Sequence, residues 1–468
     1  MRQKRQYFVT LFSIMLAALL RQTQPPSPLA GRLAIQSLLF ALGEGTFMTG
    51  SAVFFTQIVG LSAAQVGLGL TIAGVAQFIA ALPMGKVVDR FGPKRMWALS
   101  AVFQGSIFAL WPLIDSFSGY VAMAVTLEVI GAALGGAAYG AYTIDVLPPT
   151  ERVRSRAYMY SALNLGFTLG SVMGGIALAF DSNSVLHALP WFTATLFVVN
   201  AAAIARLPRA PHDDRTPEDR AVKIPGPGPL RNLGWLLTTF FSGVFWTNQV
   251  LLNLVIPLWL VQETDAPRVL LAFLFGTNTV MCIFLPMAAA RGIHDIPTAL
   301  KGLRISSTFF VVSCLITLAT HDTVGWVTIA LVWLGHVTVT GAELYLSASS
   351  WSLEAELMDP RRRGEYQGAA GFSSTLGKVW APAVYTFLAM NWGAGGWLII
   401  AGIVVLSTCL AHPSIRMAHR FLEQNVPADV LADARSGAPE PAEEVVVGPP
   451  SLLDDSDPAP GPLPDPVR

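Results

Sequence analysis

Four ionisable side chains lie deep in apolar runs: Glu44 in ALGEGTFMTG, Glu128 in AVTLEVIGAALGG, Glu343 in HVTVTGAELYL and Lys378 in SSTLGKVWAP. A carboxyl group withdrawn from water can exchange a proton, hold a cation, or make a structural hydrogen bond to a neighbouring helix. A buried amine gives up its proton or pairs with an acid, and Glu44 and Glu343 are the acids available to Lys378. Gly43 and Gly45 flank Glu44 and permit close backbone approach or local unwinding. His336 precedes Glu343 by seven residues, so on a helix the two share a face with Trp333, Thr340 and Ser347. That face reads as a proton relay or as a polar stripe wetting a cavity. Glu128 continues through Gly135, Tyr139 and Tyr142, a cavity-lining face or a water-exposed helix end. Trp246, Gln249 and Asn253, at i, i+3 and i+7, present polar groups that could orient a ligand; Trp246 could equally be ordinary packing. Asn164 and Asn278 read as helix–helix hydrogen bonds.

The elements that must position these groups follow from composition. Of 468 residues, 53% are apolar and 13% charged, about half the charge of a soluble domain. Net charge is zero, which excludes an electrostatic nucleic-acid binder. Twelve apolar runs are long enough to cross a bilayer as helices, at 33–59, 64–85, 96–114, 120–146, 157–180, 188–205, 234–261, 268–290, 302–320, 323–350, 366–391 and 394–413. An ionisable group facing lipid in such a span costs about 2.5–3.5 kcal/mol, so the four must face protein or water, be paired, or, for the glutamates, be protonated. Of the 30 Lys and Arg, 28 fall in the two tails and the even-numbered turns. That asymmetry predicts a membrane protein with both termini in the cytoplasm. Cys282, Cys314 and Cys409 lie in apolar runs with neither metal nor disulfide spacing.

The chain repeats itself. Span 2 ends ALPMGKVVDR and span 8 ends FLPMAAARGI; span 5 reads SRAYMYSALNLGFTLGSVMGG and span 11 reads RRGEYQGAAGFSSTLGKVWAP. Aligning Gly170 with Gly377 sets Arg156 on Arg363 and Lys378 on Ser171. Order and orientation are the same in both halves, so the repeat is parallel.

Between spans 2 and 3 stands Gly85-x-x-x-Asp89-Arg90-x-Gly92-x-Lys94-Arg95. This resembles the signature of the major facilitator superfamily, with every key position matched. The resemblance covers about 31–417 and implies an all-α fold of two pseudo-symmetric six-helix halves. It also implies a cavity lined by helices 1, 4, 7 and 10, alternating access, and a charge relay joining Asp89 and Arg90 to Asp145 at the end of helix 4. The matching turn of the second half has lost the pattern, so one latch of this type is expected. In span 5, Gly166-x-x-x-Gly170-Ser171-x-x-Gly174-Gly175 resembles the family's antiporter motif with Ser171 in place of proline, or is plain small-residue packing. Signatures of sugar and peptide importers are absent, as is the helix 4 arginine of many proton-coupled drug exporters; elimination leaves the drug- and metabolite-efflux branch.

The expected organisation is an N-terminal extension over 1–30, a six-helix half over 31–206, a cytoplasmic linker over 207–232, a second half over 233–416 and a disordered tail over 417–468. The expected activity is secondary active transport of a small organic molecule, apolar or cationic, across the cytoplasmic membrane, by proton-coupled efflux. Import or uncoupled facilitation by the same fold stays open, and a non-transporting receptor or enzyme is the remote alternative. No phosphate loop, metal cluster or nucleophile signature is present, so no cofactor, metal or catalytic residue is expected. The expected partners are the substrate, protons and the lipid bilayer, with the chain a monomer.

Overall fold

The computed structural model describes residues 24–180, 182–211 and 224–436. These are helical throughout, with no strand among the described residues. Lipid offers no partner to backbone N–H and C=O groups, so an apolar run closes its own hydrogen bonds as a helix.

Nine spans are helical stretches long and apolar enough to cross a bilayer: α1 (Pro28–Ile58), α2 (Ala63–Phe91), α3 (Pro93–Leu113), α4 (Phe117–Val146), α5 (Arg152–Ala179), α6 (Asn183–Ala205), α7 (Leu233–Glu263), α9 (Ile296–Asp322) and α10 (Trp326–Leu357). Between α7 and α9 lies the shorter α8 (Leu270–Phe284), extended by the turn Pro286–Ala289. The last apolar stretch, Arg363–Asn425, counts 63 residues. As one rod it would measure about 95 Å, three times the hydrocarbon core. It breaks at Gly393, whose φ of 47° and ψ of −120° favour glycine, giving α11 (363–392) and α12 (394–425). Twelve spans result, as the sequence predicts.

The junctions follow local rules. Ser62 and Gln65 form a capping box at the start of α2. Gly92, at φ 94°, ends α2, and Pro93 opens α3 at once. Asp295 and Thr298 box the start of α9; hydrogen bonds from Thr298 hold the Asp295 carboxyl below its usual range.

Each half is built on the same close pair. In the first, α5 lies on α1 where Gly166, Gly170 and Gly174 face the backbone of Leu38, Leu42 and Thr46. A Cβ at Gly174 would stand 2.6 Å from the Thr46 carbonyl. In the second, Gly377 of α11 faces Phe240 of α7, and Gly243 faces Ser374. Gly175 meets nothing within 4 Å, and Ser171 is exposed. The halves meet chiefly where α2 lies on α11: Gly85 faces Gly364, Gly368 faces Ala81, and Phe78 stacks on Phe372 at 4.5 Å.

The chain stays helical beyond 417. α12 runs to Asn425, and α13 (Ala428–Ser436) follows with Leu431 buried. Those residues are ordered helix because α13 has partners: Arg152 of α5 donates to the Ala434 carbonyl at 3.4 Å, and Arg435 pairs with Glu356 at 3.5 Å. The disorder expected from 417 therefore does not describe 417–436; residues 437–468, 1–23 and the linker segment 212–223 lie outside the described residues.

Candidate functional site

Two cavities flank α4. The first lies inside the N-terminal half and holds about 340 Å³. Glu44 of α1 and Glu128 of α4 both line it, with Gln36, Trp97, Tyr139 and Asn200. From Glu128 to Gly135, α4 winds as a π-helix. The wider turn adds a residue to the stretch and leaves small side chains, Gly131, Ala132 and Gly135, against the cavity. Asn200 is 1% exposed, and its Oδ1 has no hydrogen-bond partner.

The second cavity, also about 340 Å³, lies between the halves. α2 and α4 close one side with Gln77, Phe78 and Ala132; α7, α10 and α11 close the other with Trp246, Glu354, Gln367 and Lys378. Ala132 and Gly136 line both cavities, so the π-wound part of α4 is the wall that divides them. Lys378 forms no salt bridge among the described residues, and the Gln367 Nε2 donor is buried without a partner. Glu354 is paired with Arg156 at 2.8 Å.

Below the second cavity, at the end carrying the basic turns, the halves are tied. Arg363 of α11 pairs with Asp145 of α4, both nearly buried. Asp89 of α2 accepts from the backbone N–H groups of Gly364 (2.7 Å) and Glu365 (2.8 Å) at the start of α11. A Cβ at Gly364 would press on the Gly85 carbonyl and on Asp89, so this approach requires glycine. Arg156 of α5 bonds Glu354 of α10 and the Thr143 hydroxyl of α4. Arg362 donates to the carbonyls of Ile224 and Gly226, fixing the far end of the linker. One further tie crosses nearer mid-span: Glu343 of α10 accepts from the Tyr160 hydroxyl of α5 (2.5 Å) and from Asn278 of α8 (3.3 Å).

Residues 33–382 match the profile of the Major Facilitator Superfamily. The chain belongs to this superfamily. It is a transporter and not an enzyme. A class C tetracycline resistance protein of Escherichia coli is 24% identical over 371 residues, covering 76% of this chain and 87% of that protein. A Na(+), Li(+), K(+)/H(+) antiporter of Planococcus maritimus is 24% identical over 387 residues, covering 76% and 88%. The fold matches a bacterial homologue of the iron transporter ferroportin, solved in its outward-facing state, with a TM-score of 0.62 at 13% identity, over 83% of this chain and 99% of that one.

The superfamily fold distributes the sequence's candidate residues unevenly. Glu44 and Glu128 come together. Lys378 meets neither Glu44, which lies behind α4, nor Glu343, which is bonded elsewhere. No hydrogen bond joins His336 to Glu343; His336 is 1% exposed and sits edge-on to Phe275 at 6.4 Å. α7 unwinds at Trp246 and Thr247 and winds as a π-helix from Leu251 to Val255; Gln249 and Asn253 stay neighbours on one face, and Trp246 is turned away from them into the central cavity. Trp246 alone of the three lines the central cavity, while Asn253 donates to the Gln249 side chain at 3.3 Å.

The signature turn is corrected in the same way. Arg90 does not bridge Asp89 and Asp145; its guanidinium lies 5.5 Å from the Phe91 ring centre, and Arg363 takes its place. Lys94 donates to the Ala205 (3.0 Å) and Leu207 carbonyls, capping the end of α6. Arg95 is exposed. The tie is also not single. Arg156 and Arg363 occupy matching positions in the repeat, each pairs with an acid of the other half, and so the latch is double. The matched arginines were visible in the aligned halves and Asp145 at the end of helix 4; Glu354, the acid partner of Arg156, carried no comparable signal.

Proposed function

We propose that this transporter exports a small organic molecule from the cytoplasm against proton entry, by alternating access, working as a monomer in the cytoplasmic membrane. The basic turns and both termini lie on the cytoplasmic side. With that face tied by the two arginine–carboxylate pairs, the described conformation has its cytoplasmic gate shut, and Asp89, Gly85 and Gly364 serve that gate. Glu44 and Glu128 carry the coupling, and the central cavity carries the cargo.

The observation behind this division is the shared wall. Two carboxylates line a cavity separated from the cargo cavity only by the small residues Ala132 and Gly136. Protonation on one side of a thin, π-wound wall can therefore be felt on the other through packing. The resistance protein and the cation/proton antiporter among the relatives agree with outward, proton-linked transport. A potential of roughly 150 mV makes one proton worth about 3.5 kcal/mol, a several-hundred-fold gradient. A single titrating carboxylate thus suffices.

Proteoliposomes with an imposed pH gradient test this. Glu44→Gln is expected to lose gradient-driven transport while still exchanging substrate across the membrane. A variant that transports at full rate with unchanged pH dependence removes Glu44 from coupling. Transport by the wild type that ignores the gradient makes the protein a facilitator.

A further inference from the structure

The central cavity carries a positive charge that no acid among the described residues cancels. Lys378 projects into it from α11. Glu354, the acid lining the same space, is bonded to Arg156 at 2.8 Å. The two acids the sequence offers as partners are elsewhere. Glu44 lines the other cavity, beyond α4, and Glu343 is held by Tyr160 and Asn278. The cavity with its first neighbours therefore sums to one positive charge.

Hydrogen-bond capacity leaves Lys378 alone as the open donor. The Gln367 amide packs on Gly140 of α4 with its Nε2 buried, out of reach of a molecule in this space. The hydroxyls of Thr239 and Thr375 are satisfied by carbonyls of their own helices. Lys378 has no acceptor among the described residues. A cationic cargo would meet its uncompensated ammonium at close range. The Phe78 ring and the indole of Trp246 line this space and stand ready for an apolar body.

We propose that the cargo is a small organic anion with an aromatic or apolar body, its carboxylate or phosphate oxygens accepting from the Lys378 ammonium. This reverses the apolar or cationic cargo expected from sequence. It rests on the transport reading above, whose cargo cavity it fills. A cavity of about 340 Å³ sits at the small end of ligand sites, which limits the body to roughly a one- or two-ring compound.

The test is binding by the full chain, purified in detergent and followed by thermal shift. The probes are benzoate, salicylate, hexanoate and phenyl phosphate, with benzyl alcohol and benzyltrimethylammonium as neutral and cationic counterparts of similar size. At least one anion is expected to raise the Tm of the wild type, and neither counterpart to do so. Lys378→Gln should weaken that anion about tenfold or more, as loss of a charge-assisted hydrogen bond implies. Lys378→Arg should keep most of the affinity. Thr375→Glu, which leaves Lys378 in place but puts a carboxylate one turn away on the same helix face, should weaken the anion similarly and guards against a folding defect in the first variant. The proposal is overturned if only the cation or the alcohol binds, if no compound binds, or if both charge-changing variants bind the anion like the wild type. Binding in detergent needs neither a gradient nor a direction. Anion binding by a protein that ignores pH gradients would sink the coupling and spare this site; gradient-driven transport with no anion bound would do the reverse.

Discussion

At the scale of single residues, the gate is held by side chains that cannot be left alone. Arg363 and Asp145 are 5% and 9% exposed, so removing one strands the other in a poorly solvated place. Such losses cost about 3–5 kcal/mol. Where the pair forms only with the cytoplasmic face shut, Arg363→Gln should shift the balance of open and shut states by about a hundredfold or more. A cysteine introduced at Gln77, in the central cavity, should then react faster with a membrane-impermeant thiol reagent applied from the cytoplasmic face. Arg90→Gln should change that rate far less, because Arg90 rests on Phe91. Sequence alone favours the opposite ranking. It marks Asp89, Arg90 and Asp145 by type and position, and all three lie at the expected end of the bundle. Which arginine reaches Asp145 depends on how two halves 218 residues apart in sequence dock, and no local pattern encodes that. Glu44 and Glu128 were legible for a different reason. A charge inside an apolar run is anomalous wherever the helix turns out to point.

At the scale of elements, the closest approach between halves runs through Gly85 and Gly364. Gly364→Val would drive branched carbons into the Gly85 carbonyl and the Asp89 carboxylate. Overpacking of this kind costs about 1–3 kcal/mol. The expected result is a protein that folds and inserts but cannot shut, seen as near-normal yield with transport reduced severalfold and the same raised labelling at residue 77. Gly175→Ala is the matched control, since that glycine meets nothing within 4 Å. Helix number, order and most boundaries were readable from apolar runs and the distribution of basic residues. Helix regularity was not. Assigning Trp246, Gln249 and Asn253 to one face assumes 3.6 residues per turn. The breaks at 246–247 and 251–255 each shift the register. The same winding recurs in α4 from Glu128 to Gly135, where Gly131 and Gly135 lie against Gln104 and Ser100 of α3.

At the scale of the molecule, the two arginine ties are related by the internal repeat, and in the proposed alternating-access cycle they open together. Their contributions to the shut state should therefore add in free energy and multiply in population. Asp145→Asn and Glu354→Gln are each expected to widen the cytoplasmic side in a fraction of molecules, and the double variant to widen it in most. Distances between spin labels on the ends of α4 and α10 would report this. A double variant no more open than either single one would mean that other contacts hold the gate. The parallel repeat told in advance that such symmetry should exist, and the lost signature in the second half wrongly argued for one tie, because the partner acid came from a helix and not from the turn.

The wall between the cavities has a consequence for how such a protein can change over generations. Ala132 and Gly136 belong to both spaces, so a larger side chain at either takes room from the cargo and from the carboxylates together. With the proposed coupling at Glu44 and Glu128, selection for a smaller or differently shaped cargo at these positions would drag the driving reaction along with it, and two traits usually tuned apart would be inherited as one. Variation that alters cargo alone would have to come from the α7 and α11 side, where Trp246 and Lys378 line the central cavity and not the other.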